Sequence, residues 1–143
     1  MSIPSRSDGA GTYFVTSATF NRRRLFQVAA KADLFLEVLQ NYRREGHYKL
    51  HAFVVMPDHI HLLLTPQDAS IERVVGLIKG GFSHRVGSSY PVWQRGFTDH
   101  RIRNEDEFRT RREYIRQNPV QARMVGVAGL YPCSSAYRAE AQE

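Results

Sequence analysis

The chain has 143 residues, of which 42% are hydrophobic and 24% are charged, and its formal net charge is +6. This size and balance are typical of one globular domain, and no apolar run approaches the roughly 20 residues that a membrane-spanning helix needs. A single cysteine excludes an intramolecular disulfide framework, and an N-terminus without the apolar core of a signal peptide predicts a cytoplasmic protein.

The first half of the chain predicts a strand, a helix and a hairpin. The β-branched and aromatic run at residues 13–20 predicts a strand, and apolar residues at helical spacing predict a helix over residues 27–45. Residues 48–56 predict a second strand. A tight turn at residues 57–58 then returns the chain as a third strand over residues 59–65.

The second half predicts two further helices around a short strand. A helix is expected over about residues 70–85, because a serine at its start is a good N-cap and one of its faces is apolar. Residues 96–103 predict a fourth strand. A third helix over residues 105–117 is expected to stop before Asn118 and Pro119.

The order β-α-β-β-α-β predicts an α+β fold with a ferredoxin-like antiparallel sheet and an added C-terminal helix. Residues 1–143 are expected to form one domain, with tails at residues 1–11 and about 126–143, and with a short helix over residues 119–125. Sheets of this kind pack helices on one face and can leave the other face open.

Two histidines lie inside the most apolar stretch of the chain, residues 54–64. Because side chains alternate along a strand, His59 and His61 share one face, with their rings roughly 6 to 7 Å apart, which is close enough to bind one metal ion. The alternative is two half-exposed sheet histidines without a partner. The apolar surroundings weigh against it, because an unpaired polar ring carries a desolvation cost there.

Two further candidates, Tyr114 and Asn118, are four residues apart, so both are predicted to face the histidines from the third helix. A tyrosine hydroxyl can act as a nucleophile and an amide oxygen can bind a metal. Two alternatives remain open. Tyr114 could edge a packing face with Phe108 and Ile115, and Asn118 could cap a helix that begins at the next residue, a proline.

Only three of the 20 basic residues are lysines, and the rest are arginines, whose planar group suits contacts with phosphates and bases. The alternatives are arginine-rich codon usage and a simple solvated surface. The predicted nucleic-acid contacts come from two basic runs and are Arg22, Arg23, Arg24, Arg95, Arg101, Arg103, Arg111 and Arg112. Tyr90 and Trp93 are candidates for stacking on unpaired bases, whereas Phe97 is expected to pack in the core.

Five segments in a fixed order carry a family resemblance, and they are YFVTSATFNRR (13–23), VVMPDHIHLLL (54–64), WQRGFTDHRIRNEDEF (93–108), EYIRQNPVQARMV (113–125) and YPCSSAY (131–137). They cover nearly the whole chain. The sequence resembles the REP-associated tyrosine transposases, which are relatives of the single-tyrosine HUH transposases that move insertion sequences as single-stranded DNA. One departure is Asp58, where the family more often has asparagine.

The resemblance implies a role for each candidate. His59, His61 and Asn118 would bind a divalent metal, Mg²⁺ or Mn²⁺, and Tyr114 would be the nucleophile that forms a 5′-phosphotyrosine intermediate. The implied substrate is a hairpin of a repetitive extragenic palindrome with its single-stranded flank. The implied setting is the bacterial cytoplasm at the nucleoid, and the implied assembly is a monomer or homodimer.

A second function from another class is a catalytically idle regulator that binds hairpin DNA or RNA on the same fold. The sequence favours the enzyme, since all four candidate residues named above are present. The chain also lacks the aromatic RNP signature of an RNA-recognition domain.

Overall fold

A computed structural model describes residues 11–138. Its four strands are β1 (Tyr13–Ala18), β2 (Tyr48–Met56), β3 (His59–Pro66) and β4 (Thr98–Arg101). Its α-helices are α1 (Ala29–Arg44), α2 (Ile71–Val86) and α3 (Glu105–Gln121). Short 3-10 turns lie at Phe20–Arg22, Leu25–Gln27 and Ala128–Leu130. Within the described range, no helix is both long enough and apolar enough to cross a bilayer.

The four strands form one sheet in the order β2-β3-β1-β4, and every neighbouring pair is antiparallel. The predicted α+β class is therefore confirmed, and the strand order is that of the split β-α-β pattern. Strand β4 is shorter than the predicted 96–103, since Gly96 has a φ of 77° and interrupts extended backbone.

Helices α1 and α2 cover one face of the sheet. The strand residues Val15, Ile60 and Leu62 pack there against helix residues such as Phe35 and Phe82, and all of these side chains are buried. Helix α2 begins as predicted, because the Ser70 hydroxyl accepts a hydrogen bond from the Arg73 amide at 3.1 Å. It ends at Gly87, whose φ of 65° suits glycine.

Helix α3 covers the opposite face, which sheets of this kind can leave open, and it does so from the side on which Tyr114 and Asn118 were predicted to face the histidines. The α3 side chains Phe108 and Ile115 pack on Phe14, Val54 and Leu63 of the sheet and form a second buried cluster. A helix with its own apolar stripe gains free energy by covering exposed apolar strand residues. The histidine face of β3 is therefore the floor of a layer between sheet and helix.

The prediction that a helix stops before Asn118 was also wrong, because α3 continues through Pro119 to Gln121. Proline inside a helix removes one backbone hydrogen bond and costs stability. Pro119 is buried, and burial of an apolar ring can offset part of that cost. Asn118 lies inside the helix, and its carbonyl accepts the Ala122 amide at 3.0 Å, so it is not an N-cap. The predicted separate short helix over residues 119–125 is likewise wrong, because α3 itself includes residues 119–121.

The segment after α3 is packed rather than loose, which corrects the predicted tail as far as residue 138. The Cys133 carbonyl accepts the Val55 amide at 2.8 Å, and the Ser135 amide donates to the Phe53 carbonyl at 3.0 Å. Strand β2 is the edge of the sheet, and the tail satisfies its free backbone groups. At the other end Gly11 is buried, while residues 1–10 and 139–143 lie outside the described range.

The docked tail leads to a stability prediction. The Tyr131 hydroxyl donates to the Val55 carbonyl at 2.7 Å, so Tyr131→Phe should lower the free energy of unfolding by about 1 kcal/mol. Urea denaturation measures the change. Tyr90→Phe is the matched control. Because the Tyr90 side chain is exposed, removal of its hydroxyl should leave the midpoint of urea denaturation unchanged. Equal midpoints for both variants and the unmodified protein would contradict a docked tail.

Candidate active site

The two histidines of β3 lie side by side beneath α3, as the strand alternation predicted. Their ring centroids are 4.8 Å apart and the planes are nearly perpendicular. His61 is only 5% exposed, and its ring stacks on Phe14 of the neighbouring strand at 5.3 Å between centroids. The two histidine rings are therefore held in place on the sheet beneath α3 and are not mobile surface side chains.

One nitrogen of each imidazole is engaged by the protein. His59 Nδ1 lies 2.7 Å from Asp58 Oδ1, and His61 Nδ1 lies 2.8 Å from Thr16 Oγ1. Because these contacts engage Nδ1 of both rings, Nε2 is the nitrogen that each ring can offer to a metal when Nδ1 carries the proton. Asp58 and Thr16 thus orient the rings.

The electrostatic environment keeps His61 neutral. Burial, followed by the positive charges of His59, Arg111 and Arg22, lowers the pKa of His61 to about 3. Burial raises the pKa of Asp58, but the hydrogen bond and charge of His59 and the charge of Arg22 together hold it below its ordinary value. At neutral pH this environment supplies a neutral imidazole at position 61 and a carboxylate beside position 59.

Tyr114 reaches the histidines from α3 of the same chain. Its ring centroid lies 5.3 Å from that of His61 and 5.8 Å from that of Phe14, edge to face in both cases. The side chain is nevertheless 47% exposed. Tyr114 therefore contacts His61 and Phe14 while remaining accessible to solvent.

Asn118 follows Tyr114 by about one helical turn, and its Oδ1 is buried without a hydrogen-bond partner among the described residues. Unpartnered buried carbonyl oxygens are uncommon and call for an explanation. Asn118 and Tyr114 also line an open groove of about 760 Å³ along α3, together with Arg109, Thr110, Glu113, Gln117 and Gln121.

This donor set fits a divalent metal. Two imidazoles and an orphaned amide oxygen can serve as three protein ligands and leave positions for phosphate oxygens. Within residues 11–138, no group of three or more His, Cys, Asp or Glu side chains is arranged to hold a metal. A third protein ligand beside His59 and His61 would have to be of another type, and the Asn118 amide on α3 is the candidate that the sequence named.

The predicted arginine contacts are spread over several surfaces, and two of them border the histidines. Arg22 lies 3.7 Å from Asp58, and the Arg111 guanidinium carbon lies 4.7 Å from the centroid of the Phe14 ring. Arg103, by contrast, lies 3.5 Å from Glu107, a contact that involves neither histidine. The sequence did not distinguish Arg22 and Arg111 from the remaining arginines.

Sequence reasoning missed Thr16 and assigned no role to Asp58. Thr16 lies directly across from His61 in the β1–β3 register, a pairing that becomes legible only once the two strands are aligned. Asp58 immediately precedes His59, so an acidic residue next to a candidate ligand histidine was the available indication. Trp93, a stacking candidate, instead packs on Phe26, Phe35 and Phe82 and donates Nε1–H to the Lys79 carbonyl.

An antiparallel sheet with paired histidines on an inner strand, covered by a helix that presents a tyrosine, defines the class of single-tyrosine transposases. Comparison with known families specifies it further. The sequence model of the family described as "Transposase IS200 like" matches residues 10–118, and the chain belongs to this family.

Two relatives and one solved structure agree with this assignment. The REP-associated tyrosine transposase of Escherichia coli (strain K12) is 30% identical over 130 residues, which cover 90% of this chain and 78% of the relative. A relative from Haemophilus influenzae (strain ATCC 51907 / DSM 11121 / KW20 / Rd) is 27% identical over 146 residues, covering 90% and 81%. A REP-associated tyrosine transposase solved with a REP hairpin has a TM-score of 0.77 and 29% identity, covering 87% of this chain and 76% of that one.

Proposed function

We propose that this transposase is a metal-dependent single-stranded DNA endonuclease and strand transferase that acts on hairpin DNA through Tyr114. Family membership makes the chain a DNA-processing enzyme. The observation that carries the finer proposal is the ring contact of a half-exposed Tyr114 with the buried His61, 5.3 Å between centroids. A tyrosine in that position supports nucleophilic attack at a phosphate bound over the histidines.

The hairpin substrate is proposed from the solved relative, whose structure contains a REP hairpin. The net charge of +6 and the arginine-rich surface suit a phosphate backbone. Action on DNA would place the protein at the nucleoid in the bacterial cytoplasm. The contact between Tyr114 and His61 lies within one chain, so a monomer has the nucleophile beside the histidines.

The chemistry follows from the groups present. A bound Mg²⁺ or Mn²⁺ ion, held by His59, His61 and Asn118, would supply Lewis-acid neutralisation of the scissile phosphate. The Tyr114 oxygen attacks phosphorus, the bond from phosphorus to the 3′ oxygen breaks, and the phenol proton is balanced by protonation of the leaving oxygen. The DNA 5′-phosphate is then joined to Tyr114 and a 3′-hydroxyl is freed.

The covalent step explains strand transfer without an energy source. A phosphotyrosine bond retains the free energy of the phosphodiester that it replaces, so a 3′-hydroxyl can attack it and release Tyr114. Phenol has a pKa of about 10 and is a weak nucleophile at neutral pH. Proximity to the phosphate and the positive charge of the site must compensate for this weakness.

Binding assays with matched oligonucleotides test the substrate. A hairpin with an unpaired flank should outcompete a fully paired duplex of equal length, because unpaired bases and a flexible backbone are available only in the flank. Affinity should fall about 100-fold or more between roughly 50 and 200 mM salt, since several phosphates release counterions. Equal affinity for hairpin and duplex would count against the proposed substrate.

Arg111 provides a sharper test of the site. It has no ion pair among residues 11–138, and its charge reaches His61 and the face of Phe14. Arg111→Gln should lower cleavage about 100-fold while hairpin affinity falls only a few-fold, because a fixed positive charge beside the scissile phosphate acts mainly in the transition state.

Arg112→Gln is the matched control for that variant. It removes the same charge from the next residue, whose guanidinium lies over Phe108, 5.7 Å from the ring centroid, rather than over Phe14. Single-turnover cleavage and fluorescence anisotropy measure the two quantities separately. Equal cleavage by the two variants would remove Arg111 from the site.

A further inference from the structure

The turn after β1 lies against the residue that precedes the first histidine. Thr19 donates to the Asp58 carbonyl from its amide at 2.9 Å and from its hydroxyl at 3.1 Å. The next residues form the 3-10 turn Phe20–Arg22, in which Asn21 and Arg22 both have a φ of 55°. The hydrogen bonds of Thr19 to Asp58 hold this left-handed turn next to the histidine pair. The residue that follows the turn is Arg23.

A second segment meets this turn and brings an exposed aromatic ring to it. The Phe20 amide donates to the Val92 carbonyl at 3.0 Å, which fixes the stretch containing Tyr90 beside the turn. Tyr90 is 69% exposed, and the Arg23 guanidinium carbon lies 5.7 Å from the centroid of its ring. An open cleft of about 340 Å³ is lined by Phe20, Asn21, Arg23 and Tyr90.

The composition of this cleft selects its ligand. The exposed Tyr90 ring is not packed in the core, so it supplies a flat apolar face. Arg23 supplies a positive planar group, and Asn21 supplies an amide with both donors and an acceptor. Unpaired nucleobases need a stacking surface, a nearby positive charge and polar groups for their edges. A helical duplex offers no free base face to such a cleft.

We propose that this cleft is a binding subsite for one unpaired nucleobase of the single-stranded flank, stacked on Tyr90. The subsite rests on the proposed function, since it assumes that single-stranded DNA crosses the histidine pair. Arg22, next to Arg23, lies 3.7 Å from Asp58, and Asp58 bonds His59. A base in the cleft would therefore hold the strand close to the scissile phosphate and fix which phosphate is presented to Tyr114.

Fluorescence of 2-aminopurine tests the subsite without any cleavage. Hairpins carrying this base at each flank position in turn are bound in EDTA. Stacking on Tyr90 should quench the fluorescence at one position. Tyr90→Ala should abolish that quenching and weaken binding of the flanked hairpin about tenfold, whereas Tyr90→Phe keeps the ring and should retain both. A hairpin without a flank should bind the unmodified protein and Tyr90→Ala equally.

The outcomes separate the subsite from the proposed chemistry. Thermal melting of Tyr90→Ala should match that of the unmodified protein, because the side chain is exposed. Unchanged quenching at every position in Tyr90→Ala would overturn the subsite, as would an equal loss of affinity for the flankless hairpin. If quenching behaves as expected but Mn²⁺ yields no covalent adduct with the unmodified protein, the subsite stands and the cleavage chemistry fails.

Discussion

Replacing Tyr114 with phenylalanine should leave hairpin binding intact and eliminate the covalent protein–DNA adduct. The phenylalanine ring can keep the edge-to-face contacts with His61 and Phe14, so the site retains its shape and loses only the phenol oxygen. Removal of a nucleophile typically costs three or more orders of magnitude in rate. Incubation with a flanked hairpin and Mn²⁺, followed by denaturing gel electrophoresis, measures the adduct.

The control for this experiment is Tyr90→Phe, which also removes a tyrosine hydroxyl but should form the adduct at the normal rate. An undiminished adduct from Tyr114→Phe would show that another group is the nucleophile. A third outcome is specific to the rival function. If the unmodified protein binds the hairpin tightly and forms no adduct under any metal condition, the catalytically idle regulator is the better description.

Local sequence patterns predicted most of the fold, because the patterns and the packing agree. Strand alternation placed His59 and His61 on one face, and the serine cap and apolar stripe of α2 gave that helix its correct start. The third helix was predicted to present Tyr114 and Asn118 to the histidines, but its apolar packing on the second face was not predictable in this way. Whether Phe108 and Ile115 contact the sheet depends on where the chain turns after β4, and no periodicity encodes that turn.

Proline shows why a local rule failed at the end of α3. The rule that proline ends a helix reflects a lost hydrogen bond of a few kcal/mol, which tertiary packing can offset. Pro119 is buried, and the helix continues past it. The prediction of a loosely packed tail failed for a related reason. The hydrogen bonds of the tail go to Val55 and Phe53, some 80 residues earlier, and such long-range pairing leaves no local pattern.

The candidate residues of the site were predicted from residue type and family resemblance, whereas the contacts that orient them were not. Paired histidines with a later tyrosine and asparagine were legible from the residues and their spacing. Thr16 became visible only through strand register, and the N-cap role of Asn118 was excluded only by the path of α3. Both findings depend on long-range geometry.

Metal-ligand substitutions should have large and unequal effects. His59→Ala leaves two of the three proposed ligands and should lower cleavage at least about 100-fold at limiting Mn²⁺, with partial recovery at excess Mn²⁺. Asn118→Ala removes a neutral, weaker ligand, so the loss should be closer to tenfold. Titration of the cleavage rate against Mn²⁺ separates weaker metal binding from a slower chemical step. Full activity of the unmodified protein in EDTA would remove the metal from the mechanism.

Asn118→Ala also separates a functional residue from a structural one. Its Oδ1 is buried without a partner among the described residues, so the substitution should leave the free energy of unfolding of the metal-free protein unchanged or raise it by up to about 1 kcal/mol. Asn118→Asp instead places a charge there, and should strengthen Mn²⁺ binding while changing the cleavage rate. If Asn118 served only for packing, the Asn118→Ala protein would be less stable and would keep its cleavage activity. We expect the opposite, because an unsatisfied buried oxygen costs stability unless it binds a ligand. Full activity at limiting Mn²⁺ in both variants would assign the third ligand to another group.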